Sequence, residues 1–202
     1  MIKNIIFDFG DIFINLDKQA TFVEMAKLGV TKISDEMIGV YHQYEKGLMT
    51  TDEFIDFFYK KFEIPKADLV YAWNAILLDF PKKRLDFLKE LSESKKYRLF
   101  LLSNTNDLHI KWVQDSLGEV FYNTFEKSFE QFYLSHEINF RKPDSEIYEF
   151  VLNANNLVAD ETLFVDDLKE NTNSANKLGI HVWNLIPKKE DVTELFTKNK
   201  IN

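Results

Sequence analysis

The stretch MIKNIIFDFG (residues 1–10) decides the fold, because a nearly continuous apolar run ends at Asp8 and Gly10 follows two residues later. Apolar runs of this kind are typical of strands that are buried on both faces of a parallel sheet. We therefore predict a strand over Met1–Phe9. Three later segments have the same character: YRLFLLS (97–103), TLFVD (162–166) and IHVWNLI (180–186).

Amphipathic segments of helical length separate the predicted strands. They are Lys82–Ser94, Leu108–Leu117, Ser145–Asn155 and Glu170–Leu178, the last of them followed by Gly179 as a C-terminal cap. Strands and helices that alternate at this spacing imply right-handed crossovers. The sequence thus predicts an α/β fold with a doubly wound, Rossmann-like parallel sheet.

One region, residues 17–80, breaks this alternation and contains no clear strand. Its apolar residues lie three and four positions apart, as in Phe54, Phe57 and Phe58, which indicates helices. We predict a small helical bundle over 17–80, inserted into a core domain formed by 1–16 and 81–202. The 19 phenylalanines are expected mainly to fill the core, and Lys188–Asn202 is expected to form a solvated terminal helix with a frayed tail.

Composition restricts the possible partners. The chain of 202 residues carries a formal net charge of -8, which disfavours binding to nucleic acid or to an anionic membrane because both would repel it. It has no cysteine, no apolar stretch of membrane-spanning length, and no room for a signal peptide before the first predicted strand. We therefore expect a soluble cytoplasmic protein, and the oligomeric state stays open.

Polar residues follow the predicted strands where those strands end. Asp8, Ser103 and the Asp166–Asp167 pair end apolar runs, and Lys142 lies in a loop before a predicted helix. In an open parallel sheet, ligands bind outside the carboxyl ends of the strands. Three carboxylates, a hydroxyl and an ammonium at that edge predict a site for a metal ion and a phosphate.

Each of these residues can do a specific part of phosphate chemistry. An aspartate at a strand end can act as a covalent nucleophile, and a nearby glycine such as Gly10 lets the backbone approach a ligand. Adjacent buried carboxylates such as Asp166 and Asp167 are costly unless they are neutralised, and Mg²⁺ prefers such hard oxygen ligands. Asn171, on the first turn of the next helix, could bind a metal-held water or orient a carboxylate.

The remaining groups would bind the phosphoryl group itself. The Ser103 hydroxyl and the backbone N–H of Asn104 can hold phosphoryl oxygens, and the Lys142 ammonium can screen the carboxylates and bind phosphate. Taken singly, each segment could instead be a turn, a helix cap or a solvated side chain. Their occurrence together favours the site.

At this point the sequence resembles the haloacid dehalogenase-like hydrolase superfamily. The segments that carry the resemblance are FDFGDIFINLD (7–17), LLSNTN (101–106), RKPDSEIY (141–148) and FVDDLKENTNSANKLGI (164–180). They are most similar to the branch that contains bacterial α-D-glucose-1-phosphate phosphatase, as is the segment YHQYEKGLMTTDEF (41–54). The inserted bundle resembles the helical cap domain of that family.

The resemblance implies a role for each matched residue. Asp8 would attack phosphorus, Lys142 would stabilise Asp8 and the developing charge, and Ser103 with the amide of Asn104 would bind the phosphoryl group. Mg²⁺ would be held by Asp8, the Gly10 carbonyl and Asp167, with Asp166 reaching it through water. Glu45 would point from the cap into the site.

The implied function is a Mg²⁺-dependent phosphomonoesterase that acts through an aspartyl-phosphate on small phosphorylated metabolites such as sugar phosphates. One position departs from most phosphatases of the superfamily, which carry an acid–base aspartate where this chain has Gly10. The loss of such a proton donor costs on the order of 10²- to 10⁴-fold in rate. The adjacent Asp11 could substitute, or the leaving group could have a low pKa, as in an anomeric phosphate.

Three alternatives stay open at this stage. The site could belong to a phospho-ligand-binding or regulatory protein whose catalysis has decayed, with Gly10 as the sign of that decay. A 2-haloacid dehalogenase also lacks the second aspartate, but it needs no metal and would leave the Asp166–Asp167 pair unexplained. A mutase would depend on the acid–base group that is missing here.

Overall fold

The fold is built on a parallel sheet of five strands. The computed structural model describes residues 1–199. The strands are β1 (Asn4–Phe7), β2 (Arg98–Ser103), β3 (Gln131–Leu134), β4 (Thr162–Asp166) and β5 (His181–Asn184). Their order is β3-β2-β1-β4-β5, and every pairing is parallel. The chain therefore builds outward from β1 in both directions, as a doubly wound sheet does.

Eleven helices in the described part of the chain surround or extend this sheet. They are α1 (Ala20–Lys27), α2 (Asp35–Glu45), α3 (Thr51–Phe62), α4 (Lys66–Asn74), α5 (Lys82–Ser94), α6 (Asp107–Leu117), α7 (Glu119–Lys127), α8 (Ser135–Ile138), α9 (Ser145–Ala154), α10 (Lys169–Lys177) and α11 (Leu195–Asn199). Gly179, at φ 83°, lies just beyond α10, where a left-handed residue commonly ends a helix. Among residues 1–199, no helix combines the length and apolar character needed to cross a bilayer.

The sheet is buried on both faces, because successive strand residues point to opposite sides. Ile5 and Phe7 belong to one apolar cluster, which is covered by α5 and α7. Ile6, between them, belongs to a second cluster on the other face, which includes residues of α9 and α10. This arrangement confirms the predicted Rossmann-like α/β fold.

Phenylalanine rings fill much of the first cluster. The Phe13 ring centroid lies 5.4 Å from that of Phe7 and 5.2 Å from that of Phe125, both in edge-to-face contact. Phe80 and Phe129 complete the group around Phe13, at 6.0 Å each. These rings pack the core beneath the start of the chain, as expected from the phenylalanine content.

Helices α1–α4 occupy the region that the sequence predicts to be helical, and they have an apolar cluster of their own. Phe54 is fully buried there, with its ring stacked 4.3 Å from that of Tyr44 and in edge-to-face contact with that of Trp73 at 4.6 Å. The side chain of Ser34 caps α2, and Thr50 forms a capping box with Glu53 at the start of α3. Local capping and shared burial therefore stabilise these helices together.

The structure corrects several predicted elements. Strand β3 and helices α7 and α8 were not predicted, since β3 is a short, partly exposed edge strand without an unbroken apolar run. The predicted helix over Lys188–Asn202 is wrong for residues 188–191. A 3-10 turn covers Val192–Glu194 before α11, and residues 200–202 lie outside the described part.

The cluster within α1–α4 gives a stability prediction. Phe54→Ala should lower the free energy of unfolding by about 3–5 kcal/mol, because it removes a fully buried ring and leaves a cavity. Urea unfolding followed by circular dichroism measures the change. The matched control is Tyr59→Ala on the same helix, which removes an exposed ring and should change stability by about 0.5 kcal/mol or less. Equal losses for both variants would contradict the described packing.

Candidate active site

The candidate site lies where β1 and β4 end side by side. Phe7 pairs with Val165, so Asp8 and Asp166 stand level with each other at the carboxyl ends of adjacent strands. The chain order reverses between these two strands, and ligands bind at such a switch point in open α/β sheets. A cavity of about 330 Å³ opens there, and Asp8, Gly10, Ser103, Asn104, Lys142, Asp167 and Asn171 all line it.

A buried lysine joins the two strand ends. Lys142 Nζ lies 2.7 Å from Asp8 Oδ1 and 2.8 Å from Asp166 Oδ2, and it donates a third hydrogen bond to the Leu102 carbonyl at 2.8 Å. Burial lowers the pKa of the Lys142 ammonium, but attraction to Asp166 and Asp8 outweighs it and the pKa is raised above its ordinary value. Lys142 therefore stays charged between two carboxylates.

Asp8 has a strongly perturbed acidity. Burial raises the pKa of its carboxyl to about 7, Lys142 opposes the rise, and repulsion from Asp166 and Asp167 adds to it. The ionised form of Asp8 is thus poorly stabilised by the protein alone. A further cation close to Asp8 would stabilise it.

Asp166 is held by hydrogen bonds from three residues. It accepts hydrogen bonds from the backbone N–H of Leu168 at 2.8 Å and from Asn171 Nδ2 at 3.1 and 3.0 Å, in addition to Lys142. Of the two roles considered for Asn171, the structure therefore places its side chain on a carboxylate. These hydrogen bonds fix the orientation of the Asp166 carboxylate, and they leave its oxygens few lone pairs for a metal ion.

The acidic residues fit a divalent cation. One carboxylate oxygen from each of Asp8, Asp166 and Asp167 lies within 4.8 Å of the others. Hard oxygen donors of this kind suit Mg²⁺, and Gly10 borders the same cavity. Asp167 also forms an ion pair with Lys18, so its charge is partly balanced without a metal.

The residues expected to bind the phosphoryl group flank Asp8. Ser103 is buried at the end of β2 and borders the cavity. The Asn104 side chain bonds the backbone of Lys142 twice, donating to its carbonyl at 2.9 Å and accepting from its N–H at 2.9 Å. Asn104 thereby fixes the loop that carries Lys142, a role that the sequence did not predict.

Glu45 borders the cavity at the end of α2, and it is buried. Arg141 Nη2 lies 3.1 Å from Glu45 Oε2, and the Tyr41 hydroxyl donates to Glu45 Oε1 at 2.5 Å. Both Arg141 and Tyr41 line the cavity and were not among the predicted site residues. The spacing of Tyr41 four residues before Glu45 and the position of Arg141 next to Lys142 could have indicated them.

Asp11 does not line this cavity, although Lys18 joins it to Asp167 on the cavity wall. Its Oδ1 accepts a hydrogen bond from the Leu16 N–H at 3.1 Å, and its Oδ2 lies 3.1 Å from Lys18 Nζ. The residue adopts φ 55° and borders a different cavity, beside Asp79. The arrangement gives no support to a role for Asp11 as proton donor.

Comparison with known proteins adds to this geometry. The family model described as haloacid dehalogenase-like hydrolase matches residues 5–185. The chain belongs to this family. The family predicted from the sequence is thereby confirmed, and the chain is a hydrolase of the haloacid dehalogenase type.

Individual relatives are similar over nearly their full length. A haloacid dehalogenase family enzyme of Bacteroides thetaiotaomicron, crystallised with magnesium and inorganic phosphate, is 35% identical with a TM-score of 0.86, covering 97% of this chain and 99% of that one. A predicted haloacid dehalogenase-like hydrolase of Porphyromonas gingivalis is 26% identical with a TM-score of 0.84, covering 100% and 99%. The D-ribitol-5-phosphate phosphatase of B. thetaiotaomicron is 28% identical over 194 residues, 91% of each chain.

The raised acidity of Asp8 predicts a pH-dependent stability. A carboxyl whose folded pKa is raised contributes stability that is present below its unfolded pKa and is lost as pH rises through the folded value. In EDTA, the free energy of unfolding should therefore fall as pH rises from about 4 to about 7, and Asp8→Asn should remove that part of the fall. Thermal unfolding at a series of pH values tests this. An Asp8→Asn variant no more stable than the parent at pH 8 would contradict it.

Proposed function

We propose that the protein is a Mg²⁺-dependent phosphomonoesterase that acts on small phosphorylated metabolites through an aspartyl-phosphate on Asp8. The observation that carries the proposal is the contact of Lys142 with both Asp8 and Asp166, beside the third carboxylate of Asp167. The family and the D-ribitol-5-phosphate phosphatase relative support it.

The proposed reaction has two displacements at phosphorus. A carboxylate oxygen of Asp8 forms a bond to phosphorus while the bond from phosphorus to the alcohol oxygen breaks, and the alcohol oxygen takes up a proton from solvent. Water then attacks phosphorus and gives up a proton to solvent, which breaks the bond to Asp8 and releases phosphate with the carboxylate restored. The Ser103 hydroxyl and the backbone N–H of Asn104 would hold the phosphoryl oxygens. Lys142 would stabilise the charge that develops on these oxygens.

Asp8, the Gly10 carbonyl and Asp167 would hold Mg²⁺, with Asp166 acting through water because its oxygens already accept several hydrogen bonds. When bound, the ion would neutralise charge on the carboxylates and the phosphate. Its positive charge would also stabilise the ionised form of Asp8, whose pKa is raised by burial and by the neighbouring carboxylates.

Residues 17–80 would act as a cap domain over the core formed by 1–16 and 81–202. Helices α1–α4 share an apolar cluster of their own, which supports a semi-independent unit. Tyr41 and Glu45 of this unit line the cavity. A cap in this position would exclude water from the reaction and select the substrate.

The alternative of a phospho-ligand-binding protein without catalysis is favoured by one observation. Gly10 offers no carboxylate where most phosphatases of the family have a proton donor, and the Asp11 carboxylate is bound by the Leu16 N–H and by Lys18. Against it, the chain keeps Asp8, Lys142 and Asp167 close together at the strand ends. Turnover separates the two functions, since a binding protein shifts its melting temperature with ligand but releases no phosphate.

The first prediction of the proposed function concerns p-nitrophenyl phosphate. Phosphate release should require Mg²⁺, stop with EDTA, and fall to the uncatalysed background in Asp8→Asn, because this variant lacks the attacking carboxylate. Lys82→Ala on the exposed start of α5 is the control and should retain full activity. Activity that survives in Asp8→Asn would refute Asp8 as the nucleophile.

The second prediction concerns the leaving group. Without a proton donor, turnover should depend steeply on leaving-group pKa, so that simple alkyl phosphates react about 10²- to 10⁴-fold more slowly than aryl phosphates. A series of substituted phenyl and alkyl phosphates measures the slope. Asp11→Asn should not change the ratio of alkyl to aryl rates. A selective loss of alkyl activity in this variant would show that Asp11 does donate the proton.

A further inference from the structure

The wall of the cavity that Asp8 lines contains three side chains that are joined through Glu45. Glu45 and Tyr41 come from α2, and Arg141 comes from the loop that precedes Lys142. Arg141 Nε donates to Glu45 Oε2 at 3.2 Å, and the Tyr41 hydroxyl donates to Glu45 Oε1 at 2.5 Å. These three residues are called the Glu45 cluster below.

The Glu45 cluster keeps unused hydrogen-bonding capacity. A guanidinium has five N–H donors, and within residues 1–199 that of Arg141 contacts only Glu45, through Nε and Nη2. Each carboxylate oxygen of Glu45 can accept more than one hydrogen bond, and the Tyr41 oxygen can also accept. The cluster therefore offers both donors and acceptors to a molecule in the cavity, which is what hydroxyl groups require.

The cluster carries no net charge, and the other cations of the cavity wall are all compensated by carboxylates. Each cation on the cavity wall within residues 1–199 has a carboxylate partner: Arg141 has Glu45, Lys142 has Asp8 and Asp166, and Lys18 has Asp11 and Asp167. A second anionic group on the substrate would find no uncompensated cation there. It would also meet the buried carboxylate of Glu45.

The cluster is held in place by the turn that follows it. Asn139 Nδ2 donates to the Lys46 carbonyl at 2.8 Å, and Lys46 Nζ lies 2.9 Å from Asp144. Gly47 adopts φ 65°, and a Cβ there would lie 1.9 Å from the His136 carbonyl oxygen. Only glycine permits this close approach of the turn to α8. Glu45 is thus presented in a fixed position.

We propose that Tyr41, Glu45 and Arg141 form a neutral subsite that binds hydroxyl groups on the alcohol part of the substrate. The site then prefers monophosphates of polyols or sugars to phosphates that carry a second anionic group. This inference rests on the proposed phosphomonoesterase function and adds the residues that select the substrate.

The test compares substrates within each variant. Values of kcat/KM are measured with Mg²⁺ for D-ribitol 5-phosphate, p-nitrophenyl phosphate and fructose 1,6-bisphosphate. In Glu45→Gln, the ratio of ribitol phosphate to p-nitrophenyl phosphate should fall about tenfold or more, through a rise in KM, because a charged acceptor for hydroxyls is lost. The ratio of bisphosphate to p-nitrophenyl phosphate should rise about tenfold, because Arg141 is left with an uncompensated charge that attracts the second phosphate group.

Two further variants distinguish the loss of the subsite from a general effect on the structure. Tyr41→Phe should lower the first ratio in the same direction but by less, since it removes a single hydroxyl. Glu36→Gln, the same change on the same helix at an exposed position paired with Lys61, should leave both ratios unchanged. If Glu45→Gln lowers activity on all three substrates equally, the cluster is structural and the inference is wrong.

A binding measurement separates this inference from the proposed function. In the Asp8→Asn background, calorimetry compares D-ribitol 5-phosphate with inorganic phosphate in the presence of Mg²⁺. Tighter binding of ribitol phosphate that is lost on adding Glu45→Gln supports the subsite, even if the parent protein releases no phosphate. A preference that is absent, or that persists in the double variant, overturns it.

Discussion

The ammonium of Lys142, buried between Asp8 and Asp166, is the interaction on which the rest of the site depends. Two carboxylates at the ends of adjacent buried strands would repel each other strongly, and a buried cation would be costly alone. Held 2.7 and 2.8 Å apart from its partners, Lys142 offsets both penalties. The loop that carries it is in turn fixed by the two backbone hydrogen bonds of Asn104.

The fold supplies this arrangement through its topology. Strands β1 and β4 are neighbours in space although they are more than half the chain apart in sequence, so Asp8 and Asp166 meet at the switch point of the sheet. Apolar clusters on both faces hold the strands in register. The helices inserted after β1 then complete the cavity wall with Tyr41 and Glu45. Each cation on the cavity wall has a carboxylate partner, and Lys142 and Lys18 each face two carboxylates. Burial raises the pKa of Asp8 to about 7.

The sequence predicts the parts of the site that follow directly from strand ends. The apolar runs before Asp8 and Asp166 are long enough to identify as buried strands. The two aspartates that end these runs could therefore be predicted to lie together in a site. Strand β3 (QFYL) was not predicted, because its four residues are partly exposed and show no distinct hydrophobic period. The contact of Arg141 with Glu45 joins residues 96 positions apart, and no local pattern encodes it. The position of Asp11 depends on its φ of 55°, which the sequence does not reveal.

The proposed mechanism requires that Asp8 become covalently phosphorylated, and this intermediate can be trapped. The protein is mixed with Mg²⁺ and p-nitrophenyl phosphate, quenched in acid and reduced with borohydride, which converts an aspartyl-phosphate to homoserine. Mass spectrometry of the peptide that contains Asp8 should then show homoserine at this position, dependent on substrate. Turnover without any modification of Asp8, or modification at another carboxylate, would contradict the account.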